Sequence, residues 1–308
     1  MLQAPRYGLF SAARVLSDVR GHELGGIEYE AVCTNKVHWY PLPCDAQPPG
    51  FDPQKKSERS TTQVVASPFV LYVADNCPSL GRQQDDARRQ LRQRLTSGEE
   101  AAVEYLLWTG ALGTTPSLAG NAEVLTTTPH ELEEAVGLLE HWLAASSSYP
   151  DGTAPPFPGA PGSLGVLHAP RYLTPKLTSL RVLDTGGPQA EDPLGNRWAL
   201  GGGYPGTGPA ARPADQAVWL YATRPVTVRR SEVIEPADWS TGALDTRTND
   251  TMLLAERMYV LDFPCVAAAV PTTLPRLPRS ASTELAAEQD SSRTVSTVNS
   301  TDSEDHPA

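Results

Sequence analysis

At 308 residues the chain is long enough for one large domain or two small ones, and an apolar fraction of 40% permits a sizeable core. Its 29 prolines and 24 glycines demand many turns and irregular connections and exclude a plain bundle of long helices. The net charge of −11 excludes a broad basic surface for gripping nucleic acid, and no window approaches the roughly 18–20 continuous apolar residues of a membrane span, so a soluble chain is expected.

The opening MLQAPRYGLFSAARVLSDVR has no basic stretch followed by an apolar run, so it does not read as a secretory signal, and synthesis in the cytoplasm is expected. It reads as a short arm of mixed polarity, ended by Gly21, Gly25 and Gly26. IEYEAVCTNKVHWY (27–40) alternates and is rich in Val, Ile, Tyr and Trp, which predicts a strand. PLPCDAQPPGFDPQKKSERSTT then stops it with prolines and a charged, Ser/Thr-rich run, a projecting loop. QVVASPFVLYVAD (63–75) returns as strand, completing a long two-stranded excursion.

From Asp85 the period changes to near four. Ala87, Leu91, Leu95, Ala102 and Leu106 share one face and Arg and Gln the other, which predicts a long amphipathic helix to Gly110, interrupted at most by Gly98. A second helix is expected where Thr128, Pro129 and Glu131 supply N-cap, N1 and N3 of a capping box ahead of Leu132, Val136, Leu139 and Leu143. The loop YPDGTAPPFPGAPG follows, then SLGVLHAP as a short buried strand and RYLTPKL as a helical turn. GNRWALGGGYPGTGP, AVWLYATRPVTVRRSEVI and TMLLAERMYVLDFPCVAAAV read as three extended segments. The order is α+β and not a repeating βαβ unit. After about Pro275 the chain loses most apolar residues, and this acidic tail is expected to be disordered.

No site chemistry survives inspection of its context. Gly201, Gly203 and Gly206 satisfy GxGxxG, but Pro205, Pro209 and Pro213 occupy the place of the helix that would receive a pyrophosphate. His22-Glu23 and His130-Glu131 lack the second histidine of a metalloprotease helix, His168 reads as a core histidine, and Ser163 lacks the spacing of a nucleophile elbow. Cys33, Cys44, Cys77 and Cys265 form no CxxC pair, so no zinc site is expected and reduced, buried thiols are. No catalytic residue, cofactor or metal ligand is therefore expected. Arg82, Arg88, Arg89, Arg92 and Arg94, amid Asp85 and Asp86, read as a solvated face with local ion pairs; the alternative is an inward face that screens packaged DNA or pairs with acidic neighbours. The six tryptophans read as core or interface anchors.

In this order the elements resemble the major capsid protein of tailed bacteriophages, the Hong Kong 97-type fold that encapsulins share. GVLHAPRYLTPKL looks like that family's strand and following helix, GNRWALGGGYPGTG is similar to the segment before its A-domain loop, and AERMYVLDFPCVAAAV looks like the terminal P-domain strand of actinobacterial phage capsid proteins. The resemblance implies an N-terminal arm at 1–22, an extended E-loop at 23–75, and a P domain at 76–124 whose long spine helix spans about 82–109. It further implies a mixed α/β A domain at 125–225, P-domain return strands at 226–271 and a tail at 272–308. The chain departs from the pattern in showing no N-terminal scaffolding-like domain and in carrying the acidic tail.

The function so implied is a structural, non-enzymatic subunit that self-assembles into pentamers and hexamers of an icosahedral shell around double-stranded DNA. Its partners would be copies of itself and other capsid, portal or scaffolding proteins, with DNA met non-specifically at most and no membrane. Lys55, Lys56 and Arg59 at the tip of the excursion, Arg88 and Arg92 on the long helix, and Tyr204 are the residues expected at assembly contacts. The alternatives are an encapsulin-like protein compartment, a minor or vertex subunit, and an unrecognised hydrolase or binding module.

Overall fold

The structure, a computed structural model, describes residues 6–17, 19, 21–33, 61–78, 84–145, 163–209, 217–235, 244–245 and 250–275. The chain divides into a unit of residues 1–275 and a unit of residues 276–308; the second, with the expected acidic tail, lies outside the described residues. Among the described residues no helix is long and apolar enough to cross a membrane.

The chain opens with α1 (Leu9–Ala12) and β1 (Arg14–Leu16), followed by β2 (Ile27–Val32), β3 (Thr61–Ala66) and β4 (Pro68–Pro78). Next come the long α2 (Gln84–Thr109), α3 (Leu118–Asn121), β5 (Ala122–Val124) and α4 (Leu132–Ala144). β6 (Val166–Pro170), α5 (Thr174–Ser179), β7 (Ala190–Glu191) and β8 (Arg197–Gly201) precede β9 (Ala217–Thr223) and β10 (Thr227–Arg230). β11 (Leu244–Asp245), β12 (Asp250–Asp262) and β13 (Ala267–Pro275) close the described chain.

Three sheets result. A five-stranded sheet is built on β12, paired along one edge with β4 and along the other with β11 and then β10, which β1 joins in parallel. A six-stranded mixed sheet runs β5-β13-β9-β6-β8-β7. β2 and β3 form a separate antiparallel ribbon, with Tyr29 opposite Val64 and Val32 opposite Thr61.

The six-stranded sheet explains the continuous apolar runs of the sequence, because both of its faces are covered. Leu167, Trp198, Leu200, Leu220 and Val270 face α4 and α5 in one core. The alternate residues Val166, Ala199, Trp219, Tyr221 and Ala269 join Leu9 of α1, Leu118 of α3 and Val103, Leu107 and Trp108 of α2 in a second. The first half of α2 packs Ala87, Leu91 and Leu95 on Leu253 and Ala255 of β12. The helix therefore spans both sheets. Asp85 and Asp86 in its first turn oppose the helix dipole favourably, and Gly110, at φ 67°, ends it in the left-handed conformation that glycine adopts without strain.

Several expectations are corrected. Helix α4 starts at Leu132 and not at the expected capping box, since its N-cap is Glu131 with no side-chain cap. Tertiary pairing overrides the local signal: the His130 N–H donates to Pro271 O, Thr273 N–H donates to His130 O, and the Thr273 hydroxyl donates to Glu131. The supposed arm is part of the body, with Leu9, Ala12 and Ala13 buried and β1 paired to β10. The second and third extended segments each fold as two strands, broken at Arg224–Pro225 and Pro264–Cys265. The reading of 27–40 as strand holds to Val32, and residues 34–60 lie outside the described residues.

Candidate functional site

The feature that organises the described fold is a row of three buried carboxylates on α2. Extending the apolar stripe Ala87, Leu91, Leu95 by one more turn brings Glu99 to the sheet, and Glu100 and Glu104 follow on the adjoining face. Buried carboxylates need hydrogen-bond donors, and each of these finds them in a different segment.

Glu99 accepts from Arg230 Nη1 at 2.8 Å on one oxygen and from Arg257 Nη1 and the Tyr259 hydroxyl, each at 2.6 Å, on the other. It thus joins the helix to β10 and β12. Burial, reinforced by Glu99, pushes the Tyr259 phenol up, so it stays a donor. Arg230 also donates to Ser17 Oγ and lies over the Phe10 ring, 5.3 Å from its centroid.

Glu100 and Glu104 hold the N-terminal segment. Glu100 Oε1 accepts the Phe10 N–H at 2.8 Å and Glu104 Oε1 accepts the Leu9 N–H at 2.9 Å. The second oxygen of Glu104 accepts the Gly203 N–H at 2.9 Å. Burial raises the Glu104 carboxyl to about 7, against the lowering effect of these two donors and with Glu100 adding to the rise; burial raises Glu100 as well. A raised carboxyl in an enzyme suggests an acid or base. Here each Glu104 oxygen accepts a backbone donor and the residue is 1% exposed, so the carboxylate anchors two chain segments to the helix.

The glycine-rich stretch is held against this row. Trp108 Nε1 donates to Thr207 O at 3.0 Å, and a Cβ on Gly203 would come within 1.9 Å of Ala101 O. Close backbone approach to α2 is what Gly203 permits. Residues 203–209 are buried or half-buried, while residues 210–214 and 150–162 lie outside the described residues.

Tyr204, expected at an assembly contact, is 4% exposed within the described fold. Its ring lies tilted against Trp108, with centroids 4.9 Å apart, and its hydroxyl pairs with His168 Nδ1 at 3.0 Å, so its side chain has almost no surface to present. His168 is the core histidine that the sequence indicated, fully buried between Tyr204 and Thr223, and burial pulls its pKa down to about 3. Arg89, Arg92 and Arg94 pair with Asp86, Glu235 and Asp75 on a solvated face. Arg88 is half-buried on the same helix, while Lys55, Lys56, Arg59 and Arg82 lie outside the described residues.

Trp108, Trp142, Trp198 and Trp219 are core anchors, and Trp39 and Trp239 lie outside the described residues. The thiol reading is corrected by a disulfide joining Cys33 to Cys265 across 232 residues. The three glutamates were not singled out from the sequence. A helix of mixed polarity carries nothing that tells a solvated carboxylate from one that meets a backbone N–H about a hundred residues away.

Among solved structures, the chain superposes on "Capsid of empty GTA particle computed with C5 symmetry" with a TM-score of 0.52 at 9% identity, covering 89% of this chain and 92% of that one. The capsid of the native GTA particle matches with a TM-score of 0.52 at 8% identity and the same coverage. A structure titled "Mycobacterium phage Bobi" follows at a TM-score of 0.49 and 12% identity, over 89% of this chain and 93% of that one. The chain has the fold of these GTA capsid proteins and resembles them at the level of fold. No protein-family model matches it, and no curated protein matches its sequence.

Proposed function

We propose that the chain is a structural capsid subunit that self-assembles through pentamers and hexamers into an icosahedral shell around double-stranded DNA. The observation that carries this reading is the extent of the fold likeness, which takes in nearly all of this chain and of the capsid chain it matches. An accessory module grafted on another protein would match over a part. The internal frame suits the role, since carboxylates committed to backbone donors stiffen a subunit that must meet its neighbours in a fixed geometry.

On this reading residues 23–75, which include the ribbon β2–β3, are the E-loop, α2 is the spine helix of the P domain at 76–124, and residues 125–225 are the A domain. Lys55, Lys56 and Arg59 would dock over an acidic neighbouring subunit, and Arg88 and Arg92 would face a second contact. The tail, in which Glu284, Glu288, Asp290, Asp302, Glu304 and Asp305 outnumber Arg276, Arg279 and Arg293, would lie outside the shell because packaged phosphates repel it. Synthesis in a bacterial host and residence in a virion go with this role, and nothing favours the compartment, vertex or hydrolase alternatives over it.

The test is assembly. Purified protein examined by electron microscopy and sedimentation over a range of concentration and salt is expected to give rings or closed shells. A chain that stays monomeric throughout overturns the reading. Removing residues 46–60 is expected to leave a folded monomer that no longer assembles, and limited proteolysis of intact particles should trim the tail without opening them.

A further inference from the structure

Among the described residues the ribbon β2–β3 pairs with no other strand, and an isolated two-stranded hairpin is marginally stable in water. Several contacts attach it to the rest of the fold. At its middle the Tyr29 hydroxyl donates to Asp262 Oδ1 at 2.9 Å, and Asp262 is fixed by Arg229. Where the ribbon joins β4, Ser67 and Thr115 exchange hydrogen bonds. At its far end Arg224 Nη1 donates to Val32 O at 2.8 Å, and the next residue, Cys33, is bonded to Cys265 in the turn between β12 and β13. The outer face of the ribbon stays open, with Val32 58% and Val65 55% exposed.

Cys33 and Cys265 are both partly exposed, so a small thiol or disulfide reaches them, unlike a core pair. Cys265 also sits at φ 72°, a conformation that favours glycine, so the turn itself gives no reason for a side chain there. What cysteine adds at that position is its sulfur.

We infer that Cys33 and Cys265 form a redox latch, open as a dithiol in a reducing cytoplasm and closed by exchange with a small disulfide such as glutathione disulfide. The thiolate of one cysteine attacks a sulfur of the small disulfide, releasing one small thiol and leaving a mixed disulfide on the protein. The second cysteine thiolate then attacks the protein-bound sulfur and expels the second small thiol. One S–S bond breaks and one forms. Two electrons pass from the protein to the small disulfide, and the two cysteine protons finish on the two small thiols. Closure covalently fixes the far end of the ribbon to the turn that leads into β13, adding to the Arg224 hydrogen bond made there. The inference stands on this geometry and not on the shell reading.

The test uses the full chain carrying Cys44→Ser and Cys77→Ser, so that one pair remains, with the wild type mapped in parallel in case the double variant folds poorly. Protein purified in reductant is incubated with glutathione disulfide, digested without reduction and analysed by mass spectrometry. Hydrogen exchange is then followed at the ribbon amides of residues 28–32 and 61–65. The expected result is a Cys33–Cys265 crosslink and ribbon exchange slowed by about tenfold or more relative to the reduced protein. Exchange in β9 should be unchanged, and Cys33→Ser should abolish the redox dependence. Persistent dithiol, a stable glutathione adduct in place of the crosslink, or a crosslink that leaves ribbon exchange unaltered would each overturn the latch.

Discussion

Gly203 donates its N–H to Glu104 Oε2 at 2.9 Å at a point where the chain lies so close to α2 that a Cβ would come within 1.9 Å of the Ala101 carbonyl. The obstacle is helix backbone, which cannot swing aside as a side chain would. Gly203→Ala must therefore push this segment off the helix and strip Glu104 of a donor, and is expected to destabilise by about 2–4 kcal/mol in denaturant unfolding. Its neighbour provides the control: nothing lies within 4 Å of a Cβ on Gly202, so Gly202→Ala should stay within about 0.5 kcal/mol of wild type.

Glu99 is the shared acceptor of two guanidinium groups and a phenol. Removing it leaves Arg230 and Arg257 without their carboxylate in a largely buried place, so Glu99→Ala is expected to cost about 3–5 kcal/mol. Tyr259→Phe removes one neutral donor and should cost about 1–2 kcal/mol by the same measurement. A loss for Glu99→Ala no larger than that for Tyr259→Phe would show that the arginines re-solvate and that the network is weak.

Two buried groups drive the pH dependence in opposite directions. Glu104, raised to about 7 from an ordinary 4.5, binds a proton in the folded state that the unfolded chain has released, so its contribution is complete below about 4.5 and lost as pH rises through about 7. His168, lowered to about 3 from 6.5, contributes above about 6.5 and loses that contribution as pH falls toward 3. Between 4.5 and 6.5 the two largely cancel. Across that window the slope of unfolding free energy against pH should therefore shift upward relative to wild type in Glu104→Gln and downward relative to wild type in His168→Gln. Glu140, also raised to about 7 by burial and by Asp192, adds to the Glu104 side. Equal slopes in the two variants would contradict the assignment.

The arginine face separates fold from assembly. Arg92 is exposed and its pairing with Glu235 is solvated, a kind of contact worth about 0–1 kcal/mol, so Arg88→Glu with Arg92→Glu should keep a cooperative unfolding transition close to that of wild type. If this face meets a neighbouring subunit, the same variant should assemble poorly in sedimentation. Normal assembly would remove Arg88 and Arg92 from the contact set.

The sequence by itself determined the elements and their order. A period near four marked the helix that runs from Gln84 to Thr109, and unbroken apolar runs such as VLHAP and AVWLYAT marked strands that prove to be buried on both faces. Those signals are local, because each residue's burial recurs with the repeat of its own element. The order in which they came, arm, excursion, long helix, mixed lobe and returning strands, already resembled a capsid fold.

What tertiary structure alone decided is which partner each polar group meets. Glu104 finds its donors 95 and 99 residues away, and Cys33 finds Cys265 across 232, separations that no local period encodes. The same limit explains the helix that starts at Leu132: Thr128, Pro129 and Glu131 are a sound local start signal, but β13 claims the backbone of His130 with two hydrogen bonds. Tyr204 follows the same rule, since a tyrosine among glycines looks exposed until Trp108 and His168 are brought against it. Burial of a polar group is settled by the donors and acceptors that the rest of the chain delivers to it, and those are fixed when the sheets and the long helix close on one another.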